Sequence, residues 1–156
     1  MPEAHRDGDV FEVLAAYSRL LSSPDREVRE KACADWIAWE DAVISQESNG
    51  KPNAYSDRPA DAQMAMVRIC AHYFSNAAWL EEGALLRDAD RLAGIPGALV
   101  HGRLDLGSPL STAWELTKVW KDARLTVVGD SGHTGSETFR KVLHEAIEGF
   151  SPAKKG

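Results

Sequence analysis

From Asp9 to Leu21 apolar residues return at helical spacing (Phe11, Leu14, Ala15, Tyr17, Leu20, Leu21), the pattern of an amphipathic helix. Ser23-Pro24-Asp25 then offers a cap followed by proline at the first helical position, which predicts a second helix running to about Ile44. That helix carries Val28, Ala32, Trp36, Trp39 and Val43, an apolar stripe heavy in aromatics, with its charges mostly on the other side. Residues 46–60, QESNGKPNAYSDRPA, are polar and rich in Pro, Gly, Asn and Ser, and read as a long loop. A third helix is predicted from Asp61 to about Asn76, with Met64, Met66, Ile69, Tyr73 and Phe74 as its apolar positions. Helical character continues through Trp79, Leu80, Leu85, Leu86 and Leu92 as far as Gly94.

The pattern then changes. GALVHG is short, β-branched and apolar, so a boundary is expected between Leu92 and Pro96. A helix over about Ser111–Trp120, a strand at Leu125–Val128 and a helix over about Ser136–Phe150 follow, and SPAKKG reads as a frayed tail. The expected organisation is therefore a helical segment over 1–92, a β-α-β-α segment over 93–150 and a tail over 151–156. The fold class is α/β: a mostly helical part followed by the last two parallel strands of a doubly wound sheet. Both runs, ALVHG and LTVV, are apolar on both faces, the pattern of strands covered by helices above and below. Two strands leave an unpaired hydrophobic edge, so either another chain or copy completes the sheet or the sequence is a fragment.

Composition narrows the partners. The 156 residues are 44% hydrophobic and 27% charged, with a formal net charge of −6. That balance argues against nucleic acid or an anionic membrane as partner, since both call for clustered positive charge. No apolar run approaches a membrane span, and MPEAHRDGD lacks the apolar core of a signal peptide, so the expected compartment is the cytoplasm. Cys33 and Cys70 stand in no CxxC or metal spacing and read as two buried thiols. None of His5, His72, His101, His133 and His144 stands in HExxH or another ligand spacing, so no metal is expected.

The candidate chemistry lies at the two strand ends. Ile95–Leu110 reads IPGALVHGRLDLGSPL and Leu125–His133 reads LTVVGDSGH. Each run ends in a turn bearing one ionisable residue, Asp105 and His133, where open α/β sheets gather reacting groups. Alone, Asp105 reads as a turn aspartate and His133 as a loop histidine. One helix and one strand apart, they match the last two members of a Ser…Asp…His triad in α/β-hydrolase order. The nucleophile elbow, G-x-S-x-G, is not in the sequence; Gly129-Asp130-Ser131-Gly132-His133 comes nearest and is already the histidine turn. The HGG-type oxyanion loop is also missing, since His101-Gly102 is followed by Arg103. Arg103 is expected to pin its turn through a carboxylate.

Several stretches together resemble the C-terminal half of the proline iminopeptidases, an α/β-hydrolase family. They are Trp39-Glu40, Arg68-Ile69…His72-Tyr73-Phe74, Trp79-Leu80-Glu81, Ile95-Pro96…Val100-His101-Gly102-Arg103-Leu104-Asp105 with Pro109, Ala113-Trp114-Glu115-Leu116 and Gly129…Ser131-Gly132-His133. The resemblance covers nearly the whole chain and implies a partial α/β-hydrolase: a helical lid, then the last two strands and helices of the core. It implies a cofactor-free serine hydrolase releasing proline from peptide N-termini, with Asp105 as triad acid and His133 as general base and then acid. It further implies that Glu40 holds the substrate's amino terminus and that Phe74 lines the proline pocket. Where the family often has a second glutamate this chain has Cys70.

Without nucleophile and oxyanion hole, the chain alone is expected not to hydrolyse peptides. The expected partners are a peptide with N-terminal proline and either an N-terminal hydrolase half or a second copy meeting the open sheet edge. Two alternatives stand beside this reading: a non-catalytic binding or assembly module derived from the family, and a hydrolase of an ester or other small acyl compound, since one carboxylate fewer holds a charged amine less firmly.

Overall fold

The computed structural model describes residues 8–47 and 53–150. His5, residues 48–52 of the expected loop and the expected tail over 151–156 lie outside the described residues. The elements in order are α1 (Gly8–Leu20), α2 (Arg26–Ser45), α3 (Ala60–Ser75), the single turn α4 (Ala84–Arg87), β1 (Gly97–Gly102), α5 (Leu110–Val119), β2 (Ala123–Val128) and α6 (Glu137–Glu148). The chain forms two compact units: Met1–Asp41 with Tyr55–Glu82, and Ala42–Ala54 with Gly83–Gly156.

The first unit is helical. Ala32, Cys33, Trp36 and Ile37 are buried at i, i+1, i+4, i+5 spacing along one face of α2 and cluster with Leu21 and with Val67 and Ala71 of α3. This moves the expected face of α3: Ile69, Tyr73 and Phe74 are half or more exposed, while Met64, Met66 and Cys70 pack only partly against the core. Two of the buried members, Ala32 and Ala71, are small, and α3 packs against α1. The start of α2 also differs from expectation. Asp25, not Ser23, caps it: Asp25 Oδ1 accepts the Glu27 N–H at 2.9 Å, and Pro24 stands ahead of the first helical residue. Asp41, near the end of α2, accepts the N–H groups of Tyr55 (2.8 Å) and Ser56 (3.2 Å) and so anchors the chain where it returns toward α3.

The helical run expected up to Gly94 is broken. Ala77, Ala78 and Trp79 take φ of 48°, 51° and 57°, a left-handed turn that side chains disfavour. It is accompanied by Trp79 packing at 5.0 Å on His72 and edge-on at 5.5 Å against Tyr73. Beyond Gly83, which is also left-handed, only α4 and a 3₁₀ turn at Ala89–Leu92 are helical before the strands.

In the second unit β1 and β2 pair in parallel from Gly97↔Ala123 to Gly102↔Val128, with α5 as the crossover. α5 packs against both strands and α6 against β1. Gly97 opens β1 because the Trp120 indole lies where a Cβ would stand, and Trp120 Nε1 donates to the Ile95 carbonyl at 2.8 Å. α6 begins with a true cap: Ser136 Oγ accepts the Phe139 N–H at 3.0 Å. β2 departs from the expected two-sided apolar strand. Arg124 and Thr126 are exposed, and so is Val127. Among the described residues these two strands form the whole sheet, so each keeps one edge without a strand partner. No described helix is long and apolar enough to cross a membrane.

Candidate active site

The turns that leave β1 and β2 are tied to one another through their main chains. Arg103 N–H donates to the Val128 carbonyl at 2.9 Å, and Leu104 N–H donates to the Ser131 carbonyl, also at 2.9 Å. Gly102 is required at this crossing: a Cβ there would stand 2.5 Å from the Ser131 oxygen and 2.9 Å from that of Gly132. The Arg103 side chain, expected to pin the turn, is exposed and meets no carboxylate among the described residues. Backbone bonds do that work instead.

This lacing brings Asp105 and His133 together. His133 Nδ1 lies 3.1 Å from Asp105 Oδ1, which also accepts the Ser108 N–H at 2.7 Å. The carboxylate is largely enclosed, with 11% of its side chain exposed, whereas the imidazole is 39% exposed. A ring nitrogen facing a carboxylate that also accepts an amide N–H is assigned as the protonated one, which leaves Nε2 with its lone pair. Nε2 has no hydrogen-bond partner among the described residues. His101 flanks the pair, its Nε2 3.9 Å from Asp105 Oδ2 and 2.9 Å from the Ser108 carbonyl. Gly107 makes room for the imidazole: a Cβ there would stand 3.0 Å from Nδ1. Ser131 is wholly buried, and its hydroxyl donates to the Gly132 carbonyl at 3.2 Å, so it is not presented to a substrate.

One residue of this site was not singled out in the sequence. Glu47, just past the end of α2, is 4% exposed. Its Oε2 accepts the His133 N–H at 2.6 Å and its Oε1 accepts the Leu106 N–H at 3.3 Å. Partners 86 and 59 residues away leave no local pattern, and a glutamate in a polar stretch reads as a solvated charge.

In the helical unit, Glu40 and Phe74 both meet Trp36. Trp36 Nε1 donates to Glu40 Oε1 at 3.0 Å, and the Phe74 ring stacks on the indole with centroids 6.5 Å apart and planes 21° from parallel. Tyr17 closes edge-on at 5.4 Å. A cavity of about 480 Å³ opens beside them, lined by Val10, Val13, Leu14, Tyr17, Trp36, Trp39 and Phe74. Burial pushes the Cys70 thiol above its ordinary pKa, and the negative charge of Glu40 adds to the effect. Cys70 is thus a protonated thiol within electrostatic reach of Glu40. Among the described residues no group of three or more His, Cys, Asp and Glu side chains is arranged to hold a metal ion.

An enclosed aspartate after one parallel strand, facing a histidine after the next across one helix, is consistent with the C-terminal part of an α/β-hydrolase. No family model matches the chain. Individual relatives do. The chain is 39% identical to a probable proline iminopeptidase of Streptomyces coelicolor over 155 residues, 97% of this chain and 46% of that protein. It is 40% identical to a proline iminopeptidase of Xylella fastidiosa over 127 residues, 81% of this chain and 40% of that protein. It is 35% identical to a probable proline iminopeptidase of Leptolyngbya boryana over 158 residues, 99% of this chain and 47% of that protein. Over most of its length the chain is similar to proline iminopeptidases, consistent with a C-terminal portion of that family. It spans less than half the length of these relatives.

Proposed function

We propose that this chain supplies the acid–base pair and the substrate-recognition helices of a serine hydrolase that removes proline from peptide N-termini. The observation that carries the reading is the 3.1 Å approach of His133 Nδ1 to the enclosed Asp105 carboxylate, with Nε2 left able to take a proton. The nucleophilic serine and the oxyanion hole come from residues outside this sequence, in the same polypeptide or another. As the serine oxygen bonds to the prolyl carbonyl carbon, its proton moves to His133 Nε2. The same proton passes to the leaving amine as the peptide C–N bond breaks, and water then releases proline by the same sequence. Asp105 stabilises the imidazolium at each stage. Glu40 binds the substrate's amino terminus and Phe74 lines the proline pocket. The 156 residues alone do not turn over peptide, and the substrate and the serine-bearing segment are the partners, with the cytoplasm as compartment.

The experiment is hydrolysis of a proline anilide by the chain alone and by the chain mixed with an N-terminal hydrolase segment bearing a G-x-S-x-G elbow, each with a His133→Ala control. Turnover only in the mixture, lost in the control, is expected. Activity of the chain alone, abolished by His133→Ala, overturns the claim of inactivity. A correctly assembled mixture without turnover favours the rival reading, a non-catalytic assembly module whose open strand edges pair with another copy. Cys70, lying near Glu40 in place of a second carboxylate, favours one further variant, and simple acyl esters turned over as well as or better than the anilide would replace the peptidase assignment.

A further inference from the structure

We propose that Glu47 is a positioning residue of this site: its single buried carboxylate spans the Asp105 turn and the His133 turn and holds the imidazole against the aspartate. The inference rests on the reading of Asp105 and His133 as acid and base. Two backbone donors from two different loops converge on Glu47, the His133 N–H at 2.6 Å and the Leu106 N–H at 3.3 Å. Leu106 follows Asp105 directly, so each arm of the carboxylate holds the main chain at or beside one member of the pair. Gly132 leaves the space: a Cβ there would collide with the Glu47 carboxylate. A carboxylate this enclosed is strongly disfavoured unless amide donors satisfy it, so the arrangement tolerates little displacement of either loop. The other main-chain ties between the turns, at Arg103 and Leu104, lie upstream of both Asp105 and His133. Among the described residues, Glu47 is the one acceptor of the His133 N–H.

A glutamine in this position keeps one carbonyl acceptor but turns an amide NH₂ toward the other donor, so one arm is lost without a change of shape. The test uses the full, ¹⁵N-labelled chain, with the ring nitrogens of His133 observed at a pH where the imidazole is neutral. Wild type is expected to show the Nδ1–H tautomer with a low-field, exchange-protected proton, Asp105→Asn to lose it, and Glu47→Gln to lose it too while the other amide signals of the unit stay in place. A wholly structural glutamate would lower stability and leave the tautomer unchanged. If Asp105→Asn abolishes the signal and a folded Glu47→Gln retains it, positioning by Glu47 is overturned while the acid–base pair stands. If wild type lacks the signal, or Asp105→Asn keeps it, the pair itself fails. Should Glu47→Gln not fold, amide exchange in the wild-type chain decides: both His133 N–H and Leu106 N–H must be protected, and rapid exchange of either overturns the clamp.

Discussion

The two units carry their candidate residues by different means. Around Trp36 the arrangement is made by side chains: an indole N–H on Glu40, a stacked Phe74, an edge-on Tyr17. Around Asp105 and His133 it is made by main chain, through amides bonded to carbonyls, to the Asp105 carboxylate and to Glu47. A group that accepts and returns a proton depends on a fixed distance, and backbone lacing supplies it with few rotatable bonds. A surface that grips an apolar ring depends on area and shape, which aromatic side chains provide. The difference predicts that the first region fails when side-chain atoms are removed and the second when atoms are added to glycines.

Trp36→Ala tests the first half and has the largest expected effect. Trp36 is 5% exposed, and its loss leaves a cavity among Tyr17, Phe74 and the helical core, so about 3–5 kcal/mol of unfolding free energy is lost. Denaturant unfolding measures it, and Glu40 and Phe74 lose their shared support in the same step. A loss under about 1 kcal/mol would mean that the aromatic cluster is a surface patch and not the frame of this unit.

Gly102→Ala tests the second half. The atoms nearest the added methyl are backbone, the Ser131 and Gly132 carbonyls, which move only if the turn moves. Overpacking of this kind costs about 1–3 kcal/mol, and the displaced turn separates His133 from Asp105. Unfolding and the His133 ring signals read the two consequences separately. A stable variant with an unchanged Asp105–His133 hydrogen bond would remove the crossing from the list of things that hold the pair.

That contrast also explains what the sequence disclosed. Both strands, α5 and α6 were legible to within a few residues because short apolar runs and turn residues are local signals, and Asp105 and His133 were legible because they follow those strands. The buried face of α3 was not: Ile69, Tyr73 and Phe74 look like core by hydrophobicity, yet the smaller Val67 and Ala71 are the buried positions. The break at Ala77–Trp79 was illegible because alanine and tryptophan carry no turn signal. Glu47 was illegible because its partners lie on loops far along the chain. Arg103 misled in the opposite direction, since its turn is held by amides that every residue possesses.

Ser131→Ala has a smaller effect. The hydroxyl is buried and donates to the neighbouring carbonyl at 3.2 Å, so its removal costs about 1 kcal/mol in unfolding. Its main value is chemical. In the mixture with a serine-bearing segment proposed above, any turnover is expected to survive Ser131→Ala, because a wholly buried hydroxyl does not meet a substrate. Abolished turnover in a protein of nearly wild-type stability would make Ser131 the nucleophile that the surrounding main chain argues against.

The smallest effect concerns protons in the side-chain-built unit. Burial raises the pKa of Cys33, and burial together with the Glu40 charge raises that of Cys70. An unfolded chain ionises both thiols near pH 8.5, while the folded unit still holds their protons. Ionisation therefore favours the unfolded chain: the stability tied to these thiols is complete below that pH and is lost as pH rises toward the folded values. Replacing both cysteines with alanine should flatten this alkaline decline relative to wild type, and alkylation of the native thiols at neutral pH should be slower than that of a free thiol. Cys70 separates the contributions. Glu40→Gln removes the charge and leaves burial in place, so Cys70 in that variant alkylates somewhat faster, yet still more slowly than a free thiol. An unchanged rate would mean that Glu40 does not reach Cys70 electrostatically, and the two would not be neighbouring positions of one amine-binding patch.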